Sequence, residues 1–102
     1  MTQETDVTQI ARFKELTEQT LPALARQRHW PIRLDHCFKR ICLDHAFEDI
    51  WYKHLARPAE KHLTGEPLTR TLRCAEDLAE GDLSLLNIRN QASLRYRGKL
   101  RN

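Results

Sequence analysis

The densest run of potentially reactive side chains is Asp35-His36-Cys37, followed by Cys42-Leu43-Asp44-His45. Thiolate and imidazole are ligands that zinc favours, so metal binding is the first chemistry to weigh. The spacing opposes it. At about 100° per residue, His36 and His45 on one helix project about 180° apart and cannot share an ion. Cys42 and His45 could still combine with Asp49 or the distant Cys74, but free cysteines more often pack as small hydrophobes. No metal and no cofactor is expected.

Cys42, His45 and Asp49 also stand at i, i+3 and i+7, offering in order a thiol, a base and an orienting carboxylate. One straight helix points all three outward in parallel, whereas an activated nucleophile needs them to converge. A core histidine whose ring is satisfied by Asp49 accounts for the spacing without catalysis. No GxSxG, HExxH, P-loop or GxGxxG occurs, and three glycines leave little from which to build a phosphate-cradling loop. No catalytic residue is expected, and an enzyme is the less favoured reading.

Cations interleaved with aromatics form the second kind of signal. On a helix, His36, Arg40, Phe47, Trp51 and His54 fall within about 60° of one another, a mixture suited to stacking on bases or to anchoring a protein partner. Trp30-Pro31 is a rigid turn flanked by Arg26, Arg28 and Arg33, whose planar guanidinium forks match phosphate oxygens. The stretch 89–102 holds Arg89, Arg95, Arg97, Lys99 and Arg101 with Tyr96 and no acid. Cations in a last helical turn complement the helix dipole, which explains Arg95 and Arg97 but not the two beyond Gly98.

The 102 residues carry a net charge of +3, which conceals strong segregation along the chain. Residues 1–20 sum to −2, residues 21–43 to +4, residues 44–82 to −4 and residues 83–102 to +5. Three cysteines without a CxxC pair predict reduced thiols and a cytoplasmic location. A mean hydropathy of −0.67, no long apolar run and a polar N-terminus predict neither a membrane span nor a secretory signal.

These residues must be carried on helices, because the apolar spacing follows a 3.6-residue period and no strand-like alternation competes. Thr5 or Asp6 can cap a first helix to about Thr20 with Val7, Ile10, Ala11, Phe13, Leu16 and Thr17 inward. Pro22 suits the first turn of a second helix, or a kinked extension, from Leu21 to Arg28, which Trp30-Pro31 ends. A stretch free of Gly and Pro from Arg33 to Leu55 predicts a central helix buried on both sides, with a kink near Asp44 as the alternative. Thr64 is expected to cap a helix from about Pro67 to Glu80 that Gly81 ends. Asp82 then caps the last helix, from Leu83 to about Tyr96, which Gly98 closes. The expected fold is all-α: a single domain over residues 1–102, four to five helices packed around a central helix at about 33–55, and a basic tail from about 98.

The function expected from this pattern is a small nucleic-acid-binding or nucleic-acid-associated protein. Arg26, Arg28, Arg33, Arg40, Arg89, Arg95, Arg97, Lys99 and Arg101 would contact the DNA or RNA backbone, with Trp30, Trp51 and Tyr96 stacking or touching a partner. A regular helix-turn-helix is not evident, so backbone or shape recognition is expected rather than base reading. The alternative is a protein-interaction module, an adaptor, inhibitor or regulatory subunit, that docks by its charged patches.

Overall fold

A computed structural model describes residues 4–99. The fold is all-α, with helices α1 (Glu4–Glu15), α2 (Leu21–Arg28), α3 (Asp35–Phe47), α4 (Ala59–His62), α5 (Gly65–Glu80) and α6 (Leu83–Tyr96). Among the described residues there is no strand, and no helix is long and apolar enough to cross a membrane.

α1 and α2 form one continuous helical rod through a π turn. Pro22 has no N–H to donate, and its ring would crowd the carbonyl one turn earlier. The rod widens there into a π turn over Leu16–Thr20, in which the Leu21 N–H reaches back to the Leu16 carbonyl. Thr17, fully buried, turns its hydroxyl onto the Phe13 carbonyl at 2.9 Å. Phe13 and Leu16 enter the core, Ile10 packs at its edge, and Val7 and Ala11 face solvent, a narrower inner face than the apolar spacing predicts. The rod stops at His29, which adopts the left-handed conformation (φ 57°), so that the His29 and Trp30 N–H groups both close on the Ala25 carbonyl.

α3 lies at the centre, packed against α5, α6, α2 and the π turn. It is buried on two sides, through Phe38, Ile41 and Cys42 and through Leu43 and Ala46. It ends at Phe47, eight residues short of the expected Leu55. No Gly or Pro marks this end. Glu48 takes the left-handed conformation (φ 53°), and its N–H and that of Asp49 return to carbonyls of the last turn. Asp49 Oδ1 accepts the Ile50 N–H at 2.8 Å, and Asp44 Oδ1 accepts the Trp51 N–H at 3.0 Å, so two carboxylates hold the chain in its new direction. Trp51–Lys53 then forms one 3-10 turn.

α5 buries Leu68, Thr71, Leu72, Cys74, Ala75 and Leu78 along one stripe against α1 and α3. Thr64 occupies its N-cap position, yet its side chain makes no capping bond. Gly81 ends α5 with an extended backbone (φ −88°), not a left-handed one. Its need for glycine is steric: a Cβ there would lie 2.9 Å from the Asp77 carbonyl oxygen and 2.9 Å from Leu85 Cδ2. Asp82 caps α6 as expected, its carboxylate accepting the Leu85 N–H at 3.3 Å. Gly98 (φ 68°) closes α6, with its own N–H on the Arg95 carbonyl and the Lys99 N–H on that of Leu94.

Candidate functional site

The polar centre of the molecule is Asp44, whose side chain is 0% exposed. Taking a carboxylate out of water costs several kcal/mol unless its lone pairs are filled. Here they are. Ser93 Oγ donates to Oδ2 at 2.6 Å, the Trp51 N–H to Oδ1 at 3.0 Å, Arg97 Nε to Oδ2 at 2.8 Å and Arg97 Nη2 to Oδ1 at 3.2 Å. The bond to Asp44 holds the Arg97 guanidinium above its ordinary pKa, against the opposing effect of partial burial. Arg40 extends the chain of bonds, donating from Nη1 to Ser93 Oγ and from Nη2 to Asn90 Oδ1, both at 2.8 Å. Arg40 meets Asn90 and Ser93 while Asp44 meets Ser93 and Arg97, so α3 and α6 run in the same direction.

This network joins the two basic blocks at one point. Arg40 comes from the first block and Arg97 from the second, and one serine hydroxyl links them through Asp44. They differ in charge balance. Arg97 is neutralised by a carboxylate, whereas both partners of Arg40 are neutral oxygens.

The segment after α3 adds a third guanidinium. Arg57 lies 4.5 Å from the centre of the Tyr52 ring and 5.8 Å from that of Trp51, and it forms no ion pair among the described residues. Arg97 stands 5.4 Å from the same Tyr52 ring. Phe47 and His54 stack at 5.4 Å with ring planes 3° apart, and Asp49 lies 3.1 Å from His54 Nε2, which pins the turn carrying these groups. Ile50 and His54 together hold the Asp49 carboxyl below its ordinary pKa.

Between α3 and this segment opens a cleft of about 360 Å³. Leu43, Trp51, Pro58 and Ala59 give it apolar walls, and the cations Arg40 and Arg57 line it together with the His36 imidazole. Lys39 and Glu60 form its remaining side. Lys39 Nζ sits 2.6 Å from Glu18 and 3.1 Å from Glu60; partial burial lowers its pKa, but the bonds and charges of the two glutamates outweigh that and raise it.

The other expected contact residues are distributed as follows. Trp30 is 2% exposed and part of the hydrophobic core, so its ring offers no stacking face. Arg28 lies over that ring at 5.6 Å and donates to the Gly81 carbonyl, and Arg33 Nε donates to the Trp30 carbonyl. Arg26, Arg95 and Lys99 are exposed. Arg89 turns inward, its Nε buried without a hydrogen-bond partner among the described residues. Trp51 and Tyr96 are half-buried. Arg101 lies outside the described residues. Arg28 therefore lies near the start of α6 and Arg95 to Lys99 at its end, roughly 21 Å apart for 14 residues at 1.5 Å each.

The Cys–His–Asp spacing does not assemble. Asp49 pairs with His54 rather than His45, because the chain leaves the helix before Asp49. Cys42 is buried beside Cys74, and burial together with that contact pushes its thiol well up. All three cysteines are free thiols. Among the described residues, no group of three or more His, Cys, Asp or Glu side chains is placed to hold a metal ion.

Ser93, Asn90, Tyr52 and Arg57 are site residues that motif reading passes over, and Asp44 enters it only as a member of the reactive run and a place for a kink. An acid embedded between Leu43 and Ala46 was a signal of burial. Compared with protein families, with curated proteins and with solved structures, the chain finds no match.

Proposed function

We propose that the domain binds single-stranded nucleic acid on the face formed by α3, the Trp51–Arg57 segment and the end of α6. The observation that carries this reading is the pair Arg40 and Arg57: both line one cleft beside Trp51, and among the described residues neither has a carboxylate partner. Uncompensated guanidiniums next to aromatic rings combine phosphate attraction with base stacking, the two parts of sequence-tolerant single-strand binding. Tyr52, 42% exposed, adds a second ring, and Arg95 and Lys99 extend the cationic track past the helix end. α3 is packed on several sides and is not itself free to enter a major groove.

Anisotropy of a labelled oligonucleotide of about 12 nucleotides tests the proposal. About four phosphate contacts give a log–log salt slope of about −2.8, or about fifty-fold weaker binding on going from roughly 50 to roughly 200 mM salt. Arg57→Glu, and Arg95→Glu with Lys99→Glu, each lower affinity, whereas Arg26→Glu leaves it unchanged. Absence of binding at the lower salt for both RNA and DNA overturns the reading and leaves the charged patches to a protein partner.

A further inference from the structure

We infer that the cleft is a subsite for one nucleoside 5′-monophosphate unit, either the 5′-terminal nucleotide of a strand or a free nucleotide. The inference rests on the cleft being the anion-receiving part of the interface proposed above. At about 360 Å³ the cleft is at the small end of the range for ligand pockets, about 300–1,000 Å³, which suits one compact ligand rather than successive bases of a strand.

Charge selects the terminal phosphate. A phosphate monoester carries about −1.5 to −2 at neutral pH, against −1 for an internal diester. Arg40 and Arg57 supply two guanidiniums to the cleft, Arg40 held by hydrogen bonds to Ser93 and Asn90 before any ligand arrives and Arg57 lying against the Tyr52 and Trp51 rings. Such pre-ordering lowers the entropy lost on binding. His36 stands on the same rim as a further donor.

The opposite side has the reverse character. Lys39 bridges Glu18 and Glu60, so one cation faces two carboxylates and the sign there is negative. A phosphate is repelled from that side, while sugar hydroxyls and exocyclic amines are welcome as donors to Glu60. The ligand is thus oriented, with its phosphate on Arg40 and Arg57, its planar base against Trp51 and Leu43, and its hydroxyls toward Glu60.

Two-dimensional NMR with adenosine 5′-monophosphate, adenosine and inorganic phosphate as probes tests this on the full chain. The indole N–H of Trp51 shifts with the monophosphate, and that of the core residue Trp30 stays still. Adenosine and inorganic phosphate each bind at least about tenfold more weakly. Arg57→Ala, which leaves the Asp44 network intact, weakens monophosphate binding by about the same factor, and a 5′-phosphorylated oligonucleotide outcompetes its 5′-hydroxyl counterpart. An unmoved Trp51 resonance, or equal binding of adenosine and its monophosphate, overturns the subsite. If a strand binds while the monophosphate leaves Trp51 unmoved, the subsite falls and the interface stands. If the monophosphate shifts Trp51 while no strand binds, the subsite stands as a free-nucleotide site and the strand reading falls.

Discussion

Arg97 and Asp44, 53 positions apart, meet through two hydrogen bonds, Nε to Oδ2 at 2.8 Å and Nη2 to Oδ1 at 3.2 Å. The pair ties the end of α6 to the inside of α3, and the same carboxylate fixes the Trp51 N–H. One buried acid therefore sets both the helix packing and the placement of the cleft wall.

Breaking this pair from the cation side leaves Asp44 charged and buried. Arg97→Met is expected to destabilise the fold by about 3 kcal/mol, the lower end of the cost of orphaning a buried ion. Adding Asp44→Asn to that variant should cost less than the sum of the single changes, because the second change removes the stranded charge. Urea unfolding of the three variants measures this, and a loss under about 1 kcal/mol for Arg97→Met would contradict the buried-pair account.

Backbone conformation gives two changes of opposite sign. Glu48 pays for a left-handed φ of 53° with a Cβ, and its ion pair to Arg70 is long at 3.8 Å. Glu48→Gly should stabilise by about 0.5–1 kcal/mol. Gly81→Ala should destabilise by about 1–3 kcal/mol, since its Cβ meets a carbonyl and Leu85 too closely. Denaturant midpoints decide both.

Acidification should weaken the fold through His45. Partial burial and then the Arg89 and Arg70 charges lower its pKa below the ordinary 6.5. The unfolded chain then binds a proton at a pH where the folded one does not, so stability is full above the unfolded value and falls as pH drops toward the folded value. His45→Gln should flatten the dependence between about pH 7.5 and about pH 5.5; unchanged steepness would assign it to other groups.

Thiol reactivity separates the three cysteines. Cys37 is half-buried, whereas Cys42 and Cys74 are enclosed and Cys42 is held protonated by burial and by Cys74. A maleimide reagent should modify Cys37 in the native protein and the other two only on unfolding, followed by mass spectrometry. Rapid native labelling of Cys42 would show that α3 and α5 separate readily.

The amino-acid sequence by itself determined the helical class, the break at Trp30-Pro31, the Asp82 cap, the Gly98 stop and the basic character of the chain end. Each follows from local chemistry: a 3.6-residue period, proline's missing donor, a carboxylate beside free N–H groups, and glycine's tolerance of positive φ. Only the tertiary structure decided that α3 stops at Phe47, because what stops it is the Asp44 carboxylate reaching forward to Trp51 while held from behind by Ser93 and Arg97. The same arrangement decided which cations serve the cleft. The sequence presents Arg40 and Arg97 as equivalent charges of the two basic blocks and gives Arg57 no role, and among the described residues folding gives Arg97 a carboxylate and Arg40 neutral oxygens. Local sequence left Trp30 open between a stacking ring and a plug over the bundle end, and folding made it core because burying a large ring outweighs the polar residues around it.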